Sequence, residues 1–283
     1  MSLDAKQFLS KIQHELAAGS LEIAGFPEAS LRLLRLLRDV FVSNQQLEQV
    51  VKSDPALTVR VVSMANSAAY QSSSGPVADA RGAIARIGLA TLRTVVLAHA
   101  LATLREQKVY QSVQSRIGEI WASGLATSVV ARAIASQVAN PRLDREALAL
   151  GAMLSGVGKI YLLSEMAHHQ KVLEDFAAVE HLLSTWHQKA GRSLLEQWEF
   201  PSAVVRAATH ACEPQGGGGG DDPLLDVLDV SRILTATRGD SEELARALRV
   251  SSAAARLGLA TVDPAAIFSA AEAEAASMQG ALA

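Results

Sequence analysis

The sequence predicts an all-α protein, and three observations lead there. Apolar residues recur at three- and four-residue intervals through most of the chain, and proline and glycine fall mainly between those periodic stretches. No segment alternates polar and apolar residues for long enough to build a sheet. Of the 283 residues, 49% are hydrophobic and 19% charged, which supplies a large core and excludes pervasive disorder. The length fits about two domains or one large one.

The elements follow in order. Over 30–39, Leu31, Leu34 and Leu37 share one side and Arg32, Arg35 and Arg38 another, which is amphipathic helix spacing. The arginine stripe reads as a solvated face, or as a contact for an acidic partner or nucleotide phosphates. Ser43 followed by Gln46 is a capping box for a helix through Leu47, Val50 and Val51. Asp54-Pro55 supplies a capping carboxylate and a proline at the first helical position, where its missing N–H costs nothing. Beyond it, Leu57, Val61, Met64 and Ala68 form one apolar face, while Val59, Val62 and Asn66 lie nearly opposite. A helix apolar on two sides is expected to be sandwiched, with Asn66 buried and its amide hydrogen-bonded.

Residues 79–104 read as a short helix, a break at Gly88 and a longer helix through Leu92, Val95, Val96 and Leu101. A long helix over 117–138 ends at Asn140-Pro141, and the apolar segment 146–163 is interrupted by Gly156 and Gly158. Helical spacing resumes over 172–198, and Phe200-Pro201 breaks and restarts it. The glycine run 216–220 is a flexible loop by composition. Two more helices fit 224–237 and 241–257, and the alanine-rich end from 265 forms a terminal helix or frays.

Composition narrows the function. With 26 basic and 29 acidic residues the net charge is -3, which argues against a dedicated nucleic-acid binder, and 4% aromatic content argues against a base-stacking platform. The single cysteine, Cys212, has no partner for an internal disulfide and fits a reducing compartment. The N-terminus carries no signal-peptide pattern, and the longest apolar stretch, 94–104, is too short for a membrane span. A soluble cytoplasmic protein with no membrane partner is expected. The glycine run lacks the lysine of a phosphate-binding loop, no Gly-x-Ser-x-Gly elbow occurs, and no cofactor is expected.

Several segments resemble one family. The run from Val51-Lys52-Ser53-Asp54-Pro55 through Asn66-Ser67-Ala68-Ala69-Tyr70 is similar to the signature of the HDOD family, as is Ala83-Ile84-Ala85-Arg86-Ile87-Gly88. Gly25-Phe26-Pro27 resembles the family's opening segment, and Trp198-Glu199-Phe200-Pro201 and Ala207-Ala208-Thr209-His210 its second half. The likeness spans about 21–237. It implies an N-terminal helical bundle over 1–110 packed on an HD-like helical bundle over 111–283. HDOD domains are related to HD phosphohydrolases, including enzymes that hydrolyse cyclic di-GMP, but typically lack the full metal-ligand set. They occur in bacterial signalling proteins. The resemblance therefore implies a regulatory module that acts through a signalling protein partner or a small ligand or nucleotide.

The same resemblance locates the ancestral metal site. Its His-Asp pair falls on Ser155 and Gly156, and an earlier histidine on Ser123. Hydroxyls and a bare glycine do not replace imidazole and carboxylate as ligands for a divalent ion. His187, His210 and Asp229 match later ligand positions, while Ala211 replaces the histidine after His210. These three survivors read as a vestigial polar cluster. Alternatively, they serve a residual metal-dependent phosphohydrolase or line a ligand pocket. His99 reads as a hydrogen-bonded core histidine, and His168-His169 as a solvated pair. A helix-turn-helix about Gly88 is a weaker idea that the charge balance opposes.

Overall fold

A computed structural model describes residues 3–37, 39, 41–67, 70, 75–138, 140, 142–210, 222–236, 241–259 and 265–272. Arg38, Ala68, Ala211, Cys212 and the glycine run lie outside the described residues. In order, the helices are α1 (Leu3–Ala18), α2 (Glu28–Leu36), α3 (Asn44–Lys52), α4 (Pro55–Ala65), α5 (Ala80–Glu106), α6 (Gln114–Gln137) and α7 (Arg145–Leu154). They continue as α8 (Val157–Ala167), α9 (Gln170–Leu173), α10 (Phe176–Gln197), α11 (Ser202–His210), α12 (Pro223–Ala236), α13 (Ser241–Val250) and α14 (Ser252–Arg256). A further helical stretch covers 265–272. No strand occurs among the described residues, and the chain is all-α.

Two compact units emerge. One is formed by Ala24–Gln111 with Trp198–Phe200, and the other by the described residues of Met1–Ile23, Ser112–Gln197 and Pro201–Glu274. The first helix thus groups with the larger unit rather than with the helices that follow it.

In the smaller unit, local chemistry sets the helix ends. Pro27 holds the extended φ of −61° before α2, which buries Leu33 and Leu34 and leaves Arg32 and Arg35 exposed. Ser43 and Gln46 form the expected capping box at α3. Asp54 caps α4: its Oδ1 accepts from the Leu57 N–H at 3.0 Å, and Pro55 takes the first helical position. Asp54 Oδ2 also lies 2.9 Å from His99 Nε2 on α5, so the buried histidine is hydrogen-bonded as expected. Helix α4 packs Leu57, Val61, Met64 and Ala65 inward, mainly against α5. The second apolar face is only partly covered: Val59 is 65% exposed, while Val62 and Asn66 are half-buried.

Asn66 ends α4 and clamps the connection that follows. Its Nδ2 donates to the Val77 carbonyl and its Oδ1 accepts from the Val77 N–H, both at 2.8 Å. Arg86 reaches back from α5 to donate to the carbonyls of Gly75 at 2.7 Å and Ala65 at 3.3 Å. The Tyr70 hydroxyl meets Thr91 Oγ1 at 2.7 Å, and Ser67 Oγ lies 3.8 Å from Met64 Sδ. Gly88 then breaks α5 with φ 75° and ψ 171°, a left-handed conformation that a side chain would strain. Residues on both arms, Ile84 and Ile87 before it and Leu92 and Val95 after it, are buried.

The larger unit carries α1 and α6–α14. Helix α1, which the apolar periodicity leaves unmarked, buries Phe8 and Ile12 and contacts α9 and α10. Its polar face is also engaged: Lys11 pairs with Glu165 of α8 and lies 3.6 Å from Glu15, which accepts from the Tyr161 hydroxyl at 2.6 Å. Burial disfavours the charge on Lys11, but Glu165 and Glu15 outweigh it and hold its pKa above the usual lysine value. Burial, then the neighbouring Glu15 and Glu165, push the Tyr161 phenol upward. The segment after Arg145 turns at Ser155-Gly156, while Gly158 sits inside α8 rather than interrupting it. The expected helix over 241–257 is split at Ser251, whose side chain caps α14.

Two stretches, Ala80–Glu106 and Arg145–Ala167, reach the length and apolarity of a membrane span, which the 94–104 run alone does not suggest. Each bends near its middle, and 61% and 78% of their most apolar windows are buried inside the protein.

Two outcomes follow from the smaller unit. Asn66→Ala should lower stability by about 1–3 kcal/mol, because two backbone groups of Val77 lose their partner; urea denaturation measures it, and an unchanged midpoint would contradict the clamp. Burial raises the Asp54 pKa, but the Leu57 N–H and His99 outweigh it, so the carboxyl sits below its ordinary 3.8. A depressed acid contributes stability that is present above 3.8 and lost as pH falls through its folded-state value. Asp54→Asn keeps a capping oxygen without the charge, so thermal scans should show wild type more stable at neutral pH and the difference shrinking below that pH.

Candidate functional site

The site is built by four helices of the larger unit. Ser123 comes from α6, Ser155 and Gly156 from the turn between α7 and α8, and Asp229 from α12; together they line one open cleft of about 970 Å³. The wall opposite is the junction of α13 and α14 around Ser251. Of the seven positions that the resemblance assigns to one site, four line this cleft: Ser123, Ser155, Gly156 and Asp229. His210 joins them through Asp229: His210 Nε2 lies 2.9 Å from Asp229 Oδ1, and both side chains are about 10% exposed. His187 is buried on α10 and does not line the cleft.

Two cations enter the same cleft. Lys159 lies one turn after Ser155, and Arg232 lies one turn after Asp229, its Nη1 3.8 Å from Asp229 Oδ1. Lys159 has no ionic partner among the described residues. Glu119 stands at the exposed rim and accepts from Ser115 at 3.0 Å. The cation positions carry a sequence signal, since residues three or four apart share a helix face, so Ser155 implies Lys159 and Asp229 implies Arg232.

Gly156 is sterically closed. A Cβ placed there would fall 2.2 Å from Cγ2 of Ile120 on α6. Isoleucine is β-branched and stiff at χ1, so this methyl does not swing aside freely. The space that a side chain at position 156 needs is already filled by hydrocarbon.

These residues do not fit a divalent-metal site. Two hydroxyls and a glycine stand at three assigned ligand positions, and Asp229, the carboxylate at a fourth, is shared between an imidazole and a guanidinium. Among the described residues no three His, Cys, Asp or Glu side chains converge as metal ligands.

The remaining singled-out residues lie elsewhere. Asp54, Asn66, Tyr70 and Gly88 hold the smaller unit together, as described above. His168 and His169 are exposed, and the His169 ring meets Phe8 edge-on with centroids 5.5 Å apart.

The HDOD domain model matches residues 23–214, more than half of the chain. The chain belongs to the HDOD family. Its solved relatives include an HDOD domain protein of unknown function from Geobacter sulfurreducens, at 18% identity and TM-score 0.61, with 98% of this chain and 97% of that one covered. A provisionally named metal-dependent phosphohydrolase from Shewanella amazonensis SB2B has 19% identity and TM-score 0.65 over 95% and 100% of the two chains. A provisionally named signal transduction protein from Marinobacter aquaeolei VT8 has 19% identity and TM-score 0.58 over 96% and 66%. At such identities the likeness establishes the helical fold alone. No curated protein matches the sequence.

The filled position in this HDOD cleft has a measurable consequence. Ser155→His with Gly156→Asp should destabilise the protein by about 1–3 kcal/mol through overpacking against Ile120. Adding Ile120→Ala should restore part of the thermal midpoint; equal midpoints for the double and triple variants would contradict the steric account.

Proposed function

We propose that this HDOD chain is a non-catalytic bacterial signalling module of the cytoplasm that acts by binding a signalling protein partner or a small regulatory ligand. The observation that carries the reading is the state of the cleft. Its assigned ligand positions hold Ser123, Ser155 and Gly156, Ile120 fills the space beside Gly156, and Lys159 and Arg232 line the same cleft. Asp229 already serves His210 and Arg232, and Glu119 stands at the exposed rim, so the assigned positions leave two neutral hydroxyls as donors for a divalent ion. A cleft of about 970 Å³ is nevertheless large enough to hold a small organic ligand.

One feature favours a second reading, a residual metal-dependent phosphohydrolase. Asp229 and His210 remain in hydrogen-bond contact at the cleft, so part of the ancestral donor set persists.

One pair of measurements separates the two. Metal analysis of the purified chain should find no stoichiometric divalent ion, and neither cyclic di-GMP nor a generic phosphodiester should turn over with added metal. Bound metal together with metal-dependent turnover would overturn the non-catalytic reading.

A further inference from the structure

Asp229 lines the cleft, but its partner His210 lines a second, smaller pocket in the same unit, of about 260 Å³. Three cationic side chains converge there, Lys189 and Arg192 from α10 and Arg206 from α11, together with Gln188 and Thr209. No carboxylate lines the pocket among the described residues. That imbalance is local: it occurs in a chain whose net charge is -3.

The three cations are exposed, and each has a neighbour that orients it. Arg192 Nη2 donates to the hydroxyl of buried Thr209 at 3.1 Å, and its Nη1 is only loosely placed, 3.9 Å from Glu196. Arg206 spends one side of its fork on Asp222, with Nε 3.2 Å from Oδ2, and its terminal amino groups have no partner among the described residues. The Lys189 ammonium is held over the Trp186 ring, 4.9 Å from its centroid. Fixing long cationic side chains close together costs repulsion and rotamer entropy, and an anion seated between them reverses the first of these costs.

We propose that this pocket is a metal-independent binding site for the phosphate group of a small molecule. A phosphate offers several strong acceptor oxygens and up to two negative charges, which matches two guanidinium forks and an ammonium better than a monoanionic carboxylate does. The volume lies below the roughly 300–1,000 Å³ of drug-sized ligand sites, so the pocket takes a phosphate group and a small attached body rather than a dinucleotide. Binding of this kind needs neither metal nor turnover, so it does not depend on how the neighbouring cleft works.

The test uses the full chain. Inorganic phosphate and a nucleoside monophosphate are titrated calorimetrically, with sodium chloride at matched ionic strength as the control. Saturable binding should weaken about tenfold in each of Arg206→Gln and Lys189→Gln, the loss expected for a charge-assisted bond. It should be unchanged in Arg105→Gln, an exposed arginine of the other unit. Thermal midpoints of the free variants check folding, and Arg192 is left intact because it supports Thr209. Binding of inorganic phosphate assigns the free anion, binding of the nucleotide alone assigns a monoester, and either result supports the site. Absence of binding beyond the chloride control, or full affinity in both variants, overturns it.

Discussion

The larger unit depends on helices approaching more closely than side chains allow. At Gly158 a Cβ would meet the His187 carbonyl oxygen at 1.9 Å, at Gly151 the Ala207 Cβ at 2.2 Å, and at Gly124 the Met153 carbonyl oxygen at 2.6 Å. These three contacts bind α8 to α10, α7 to α11 and α6 to α7. Glycine in a helix lowers its intrinsic stability, and the close packing it permits offsets that loss. The result is a cage with little freedom to adjust. The positions of Ser123 and Ser155 on the cleft follow from it, because each sits within a turn or so of one of these contacts.

The smaller unit uses its polar signature residues differently. Asp54 caps one helix with one carboxylate oxygen and holds His99 with the other, while Asn66 and Arg86 occupy backbone groups of the connection between α4 and α5. Buried or half-buried backbone groups must find partners, and side chains supply them where the helix ladder stops. The signature of the family is, in this unit, an account of how one crossover is satisfied.

Much of the fold was legible because helix ends are decided by neighbours in sequence. Ser43 with Gln46, Asp54 with Pro55, and Gly88 act within a few residues, and the structure uses each of them where the sequence places it. What escaped depends on distant partners. Helix α1 has a narrow apolar stripe, and its polar face becomes meaningful only beside Glu165 and Tyr161, far along the chain. Val59 looks like a core residue by composition, yet no neighbour covers it. In the cleft, the missing ligands could be read as residue identities, whereas the obstruction by Ile120 is a three-dimensional fact. Lys159 and Arg232 were within reach of helical spacing from the positions already singled out.

The contact between Gly156 and Ile120 also limits which substitutions the chain can reach one step at a time. An acid introduced at position 156 collides with the branched hydrocarbon, and trimming the hydrocarbon first opens a void. Each single step costs folding stability, so the two positions change together or not at all, and the steric fit guards the glycine.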